Sequence, residues 1–126
     1  MSLKSMKSNI PTESDEAKAL KTWADYHPIA RLMFHIPNGG SRHLYEAVNL
    51  RAQGAKAGIP DYFLPYPCHG KAGMFIELKR AEGGRLTKTQ AECLKKLDSL
   101  GYKAVVAYGW EHAVKEIEEY LRWLEH

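Results

Sequence analysis

Along residues 74–79, Met74, Ile76 and Leu78 alternate with Phe75, Glu77 and Lys79, the period of two that a β-strand imposes on its faces. The first set makes an apolar core face. The second puts an acid and a base on one face of a strand that is otherwise apolar. If buried, that pair costs desolvation energy and requires a ligand, a metal ion or solvent beside it; the alternative is a solvent-facing cross-strand ion pair. Asp61 lies sixteen residues upstream, in Ile59-Pro60-Asp61, where the neighbouring strand of a hairpin should begin. Carboxylates from two adjacent strands can share a hard divalent cation; read structurally, Asp61 is an ordinary turn aspartate after Pro60.

Two further residues carry double readings. Glu16, Leu20 and Trp23 fall at i, i+4 and i+7, so Glu16 borders the inward face of a helix. Equally, Glu13, Asp15 and Glu16 together complement the positive end of the helix dipole. Thr87 and Gln90 match a capping box, yet a helix beginning there follows the Glu77/Lys79 strand, so the Gln90 amide can instead reach toward those residues. Pro37-Asn38-Gly39-Gly40-Ser41-Arg42 leads into a helix N-terminus whose free N–H groups can meet a phosphate; Asn38, Gly39 and Gly40 also read simply as a turn. Lys56, five residues before Asp61, sits where a backbone phosphate could lie if Asp61 holds metal. Neither a P-loop nor a G-x-G-x-x-G dinucleotide loop occurs. The six histidines show no metal-ligand spacing, and His35, His43 and His69 read as incidental.

These positions need elements to hold them. Thr12 with Asp15 resembles a capping box, and an apolar period near 3.6 runs from Leu20 to His27 before Pro28 ends it. Residues 31–36 read as a strand halted by Pro37 and the glycines. Ser41 should cap a helix carrying Leu44, Val48 and Ala52, stopped by Gly54. Residues 61–64 and 74–79 form two strands, and Thr87 opens a helix with Ala91, Leu94 and Leu97 on one face, closed by Gly101. Residues 103–108 are a mostly apolar strand, which implies a central place in the sheet. Trp110, Ala113, Val114, Ile117, Leu121 and Leu124 define the last helix. The order α-β-α-β-β-α-β-α gives an α/β fold with a mixed β-sheet flanked by helices.

A chain of 126 residues makes one domain, expected over residues 12–124 behind a disordered tail at 1–11. With 44% hydrophobic and 26% charged residues, disordered and low-complexity classes are excluded, and no apolar run is long enough for a membrane span. The net charge is +3 and the pI about 8.8; acids gather at 13–16 and 116–119, while bases dominate 42–56 and 71–96. A basic middle suits a face that meets phosphates. Cys68 and Cys93 form no C-x-x-C and read as reduced thiols of a cytoplasmic protein.

Taken together, Phe34-His35-Ile36-Pro37-Asn38-Gly39-Gly40, Gly54-Ala55-Lys56-Ala57-Gly58-Ile59-Pro60-Asp61, Phe75-Ile76-Glu77-Leu78-Lys79 and Gly83-Gly84-Arg85-Leu86-Thr87 with Gln90 resemble the VRR-NUC (virus-type replication-repair nuclease) family of the PD-(D/E)xK phosphodiesterase superfamily. Gly101-Tyr102 and Tyr108-Gly109-Trp110 also fit. One departure is Ala17, where the family often has Gln after the first-helix glutamate. The resemblance implies a restriction-endonuclease-like core and a metal-dependent DNA endonuclease. Asp61 and Glu77 would bind Mg²⁺ or Mn²⁺, with the Leu78 carbonyl and Glu16 completing the ligands. Lys79 would contact the attacking water and the scissile phosphate, and Gln90 would position water or substrate. Asn38, Gly39, Gly40, Arg42 and Lys56 are the expected DNA contacts. Stand-alone members imply a homodimer that cuts branched DNA such as four-way junctions, in a bacterial or phage-infected cell; the candidate dimer surface is the apolar residues of 62–67 with the loop after them. The alternatives are a flap or linear-DNA nuclease, and an inactive module that binds structured DNA. Neither a membrane nor a nucleotide cofactor is implied.

Overall fold

A computed structural model describes residues 10–37 and 44–122 of the chain. Helix α1 spans Glu13–Asp25, and its start is fixed by reciprocal bonds. Asp15 N donates to Thr12 Oγ1 at 3.0 Å and Thr12 N to Asp15 Oδ2 at 2.9 Å, which satisfies two of the amides a helix start leaves unpaired. A 3₁₀ turn at Ala30–Leu32 precedes a two-residue strand, β1, Phe34–His35. The expected strand over 31–36 is shorter because His27 Nδ1 accepts from the amides of Ile29 and Ala30 at 3.1 and 3.0 Å, and that local bonding holds the backbone in a turn. Helix α2, Leu44–Ala52, follows; the expected Ser41 cap lies outside the described residues, as does most of the expected tail at 1–11.

Strands β2 (Tyr62–Leu64) and β3 (Met74–Lys79) form the hairpin. Helix α3, Lys88–Ser99, leads to β4, Lys103–Tyr108, and α4, Trp110–Leu121. The sheet runs β1-β2-β3-β4, antiparallel through the first two pairings and parallel in the last, with Leu78 opposite Ala107 and Lys79 opposite Tyr108. The strand β4 therefore lies at the sheet's end rather than its centre. Its apolar run serves the α3 and α4 helices that both pack on it, so the same composition arises without a second strand neighbour.

Leu20 from α1, Leu64, Met74, Ile76 and Leu78 from the hairpin and Ile117 from α4 are fully buried. Each side chain of that kind contributes about 1.5–3 kcal/mol by leaving water. The expected alternation in β3 holds for Met74, Ile76 and Leu78, but Glu77 and Lys79 on the other face are buried as well. Tyr62 and Leu64 are buried in the core and β2 has a strand on either side, so within the expected dimer surface these two side chains are covered, while Pro65 and Pro67 are exposed. Cys68 and Cys93 are free thiols. No helix among the described residues is long and apolar enough to cross a membrane.

Candidate active site

The hairpin sets Asp61 and Glu77 side by side: Tyr62 faces Ile76, so the next step of the antiparallel register brings Asp61 to Glu77. Asp61 is held by the Leu78 amide, which donates to its Oδ2 at 2.8 Å. Glu13, the first residue of α1, supplies a third carboxylate, and one ligand oxygen each from Glu13, Asp61 and Glu77 lie within 4.8 Å of one another. Lys79 Nζ stands 3.7 Å from Glu77 Oε2. Beside them is a cavity of about 160 Å³ lined by Glu13, Ser14, Ala17, His35, Asp61, Tyr62 and Leu78.

Gln90 realises both of its expected roles at once. Its Oε1 accepts from Thr87 N at 3.0 Å to close the capping box, while its Nε2 donates to Glu77 Oε2 at 3.4 Å. The cap thus fixes the amide that reaches Glu77. Gly58 seats this helix: its φ is +87°, and a Cβ there would stand 2.7 Å from Thr89 Cγ2, so only glycine fits.

Glu77 Oε1 is buried with no hydrogen-bond partner among the described residues. Burial, and secondarily the hydrogen bond and charge of Asp61, push the Glu77 carboxyl up to about 8. Burial, reinforced by the charges of Asp61 and Glu13, pushes the Tyr62 phenol up to about 12, so that hydroxyl stays a neutral donor. Converging carboxylates with a buried orphan oxygen fit a hard divalent cation, which replaces mutual repulsion with attraction. The Leu78 carbonyl fits the same set. Gly109 N donates to the Lys79 carbonyl at 2.8 Å, and backbone groups of successive strand residues point to opposite edges. Leu78 therefore turns its carbonyl, like its amide, toward Asp61.

Glu16 stands elsewhere. It is 4% exposed, with Oε2 accepting from Ala81 N at 3.1 Å and Oε1 from Trp110 N at 3.4 Å. Trp110 opens α4, so this carboxylate meets the positive end of a helix and ties α1 to the end of β3. The structure brings Glu13, not Glu16, to Asp61 and Glu77. The two acids are three residues apart and share a helix face; choosing between them requires the rotation of α1 on the sheet. His35, read as incidental, lines the cavity. Lys56 is exposed in a separate cavity with Ile36, Pro37 and Leu50, and Asn38, Gly39, Gly40 and Arg42 lie outside the described residues.

With that geometry in hand, comparison with known proteins is decisive. The sequence profile of the VRR-NUC domain family matches residues 12–111. This chain belongs to the VRR-NUC family. A solved structure of a VRR-NUC domain protein superposes with a TM-score of 0.75 at 27% identity, covering 88% of each chain. Among curated proteins, none matches. The VRR-NUC assignment makes the chain a nuclease domain and agrees with the mixed four-stranded sheet flanked by helices.

Proposed function

We propose that the chain is a divalent-metal-dependent DNA endonuclease that cuts branched DNA as a homodimer. The observation that carries the metal requirement is the convergence of Glu13, Asp61 and Glu77 around a buried oxygen of Glu77 with no hydrogen-bond partner among the described residues. Those three carboxylates and the Leu78 carbonyl would hold Mg²⁺ or Mn²⁺, a ligand set of hard oxygens suited to such ions. When bound, the ion lowers the pKa of a coordinated water and neutralises phosphate oxygens. Lys79 offers a compact positive charge 3.7 Å from Glu77, placed to contact the scissile phosphate or the attacking water. Gln90 is tethered by the α3 cap and orients Glu77. Glu16 acts through the fold, by fastening α1 to β3 and α4.

Dimerisation is supported by α2, where Leu44, Tyr45 and Val48 are 77%, 88% and 51% exposed. An apolar patch of this kind marks an interaction surface, and two sites about a two-fold axis suit symmetric nicking of a four-way junction. The test is cleavage of end-labelled four-way junction, flap and linear duplex with Mg²⁺, Mn²⁺ or EDTA, beside Asp61→Asn and Lys79→Ala. Metal-dependent paired nicks in the junction, lost in both variants, are expected. Cutting of flaps or linear ends alone would replace the substrate assignment, and tight binding without cleavage would favour a binding module.

A further inference from the structure

The core asks less of Tyr62 than this residue supplies. Tyr62 belongs to the buried apolar cluster and is 8% exposed, with its ring edge-on to His35, centroids 5.4 Å apart and planes at 71°. A phenylalanine would fill the same place, so packing explains the ring and leaves the hydroxyl. A polar group withdrawn from water costs free energy unless it finds a hydrogen-bond partner. Tyr62 also lines the 160 Å³ cavity with Glu13, Asp61 and Leu78, and the charges of Asp61 and Glu13 both act on its phenol. The polar end of this side chain therefore stands within reach of the acid cluster.

A phosphodiester at that cluster presents two non-bridging oxygens, and negative charge builds on both as water attacks phosphorus. An oxygen left without a positive partner in a shielded cavity requires a hydrogen-bond donor. Glu13, Asp61 and the Leu78 carbonyl can only accept. Lys79, the charged donor of the cluster, stands at Glu77 and does not line this cavity. The side-chain donors that do are Ser14, His35 and Tyr62, and of these Tyr62 is buried while the other two are exposed. A donor already fixed by strand and core gives up little freedom on binding. We infer that Tyr62 is a catalytic residue of this site: its hydroxyl donates to a non-bridging oxygen of the scissile phosphate. The inference rests on the nuclease reading and adds a neutral contact to the reacting group.

The test uses the full chain, the variant Tyr62→Phe, and the DNA that the wild type cuts best in Mn²⁺. Its scissile phosphate is normal or replaced by either phosphorothioate isomer. Tyr62→Phe should slow single-turnover cleavage of the normal phosphate roughly 10- to 150-fold, the factor that one hydrogen bond to a charged group supports. Sulfur at the oxygen served by Tyr62 weakens the same bond. For one isomer the penalties of sulfur and of Tyr62→Phe should therefore fail to multiply, and for the other they should multiply. Away from activity, the metal-free Tm and its rise with Mn²⁺ should match the wild type. Inorganic phosphate added with Mn²⁺ should raise the Tm of the wild type further, and that of Tyr62→Phe less.

Undiminished cleavage by Tyr62→Phe, or penalties that multiply for both isomers, overturns the contact and leaves the nuclease standing. If the wild type cuts nothing, the nuclease reading fails, and the phosphate response decides Tyr62: no rise, or equal rises in both proteins, overturns it. A metal-free Tm that collapses in Tyr62→Phe makes the hydroxyl a structural group, which overturns the assignment as well.

Discussion

At Glu77 a carboxylate is buried against the Asp61 carboxylate, and the arrangement that destabilises the metal-free fold is the one that would hold an ion. Its pKa rises from 4.5 to about 8, through burial first and Asp61 second. Between those values the folded protein keeps a proton that the unfolded chain has released, so metal-free stability falls as pH climbs through the window. Glu77→Gln removes that dependence and should stabilise the metal-free protein at pH 8 by about 0.5–2 kcal/mol, the usual gain when a strained functional group is replaced. Mn²⁺ should raise the Tm of the wild type at pH 8 and leave Glu77→Gln unmoved. Calorimetry at pH 5 and 8, with and without Mn²⁺, checks both; a wild-type Tm that is flat across the window without metal sinks the argument. Lys79 makes a different prediction. Lys79→Ala should slow cleavage by at least about 100-fold, the loss seen when one transition-state contact is removed, while junction binding by anisotropy changes little. Retained turnover would remove Lys79 from the mechanism.

Elements decide which acids meet. Glu16 bridges α1 to Ala81 and Trp110, and Gly109, with φ +93°, leaves room for it, since a Cβ there would stand 3.2 Å from Glu16 Oε2. Glu16→Ala leaves two amides without their charged acceptor and should cost about 2–4 kcal/mol, taking each charge-assisted bond at the lower end of its range. The Mn²⁺-induced rise in Tm should survive, because the cluster acids are untouched. Glu13→Gln should do the reverse, with little change in metal-free Tm and a lost response to Mn²⁺. Equal behaviour of the two variants would mean that the roles assigned to these glutamates are wrong. The capping boxes at Thr12 and Thr87 were legible in the sequence because each is closed within three residues. The place of Glu13 beside Asp61 and Glu77 was not, because it depends on how α1 rolls against the hairpin, a contact between residues 48 and more positions apart. Gln90 was half legible: the cap is local, while the bond to Glu77 is made across the fold.

At the scale of the whole molecule, the order of elements could be read from periodicity, and the hairpin that joins Asp61 to Glu77 with it. The place of β4 could not, since an edge strand covered by helices on both faces carries the same apolar run as a central one. Within the surface expected over residues 62–67 and the following loop, Tyr62 and Leu64 are apolar because they fill the core, whereas Pro65 and Pro67 remain exposed. Helix α2 adds an exposed apolar surface of its own. Leu44 and Val48 lie one turn apart and Tyr45 flanks them, all more than half exposed, while Ala47 is the one residue of this helix that is buried. If this face closes the homodimer, Leu44→Glu with Tyr45→Glu places charges against their own symmetry copies, a juxtaposition that costs several kcal/mol. Light scattering at micromolar concentration should then show a dimer for the wild type and a monomer for the variant. The Mn²⁺ response and the unfolding transition of each protomer should persist, since neither residue touches the cluster. On a four-way junction the wild type should release paired nicks in one encounter, whereas the monomer should leave singly nicked junctions that accumulate before the second cut. A wild type that scatters as a monomer, or a variant that remains dimeric, would move the two-fold axis off this helix.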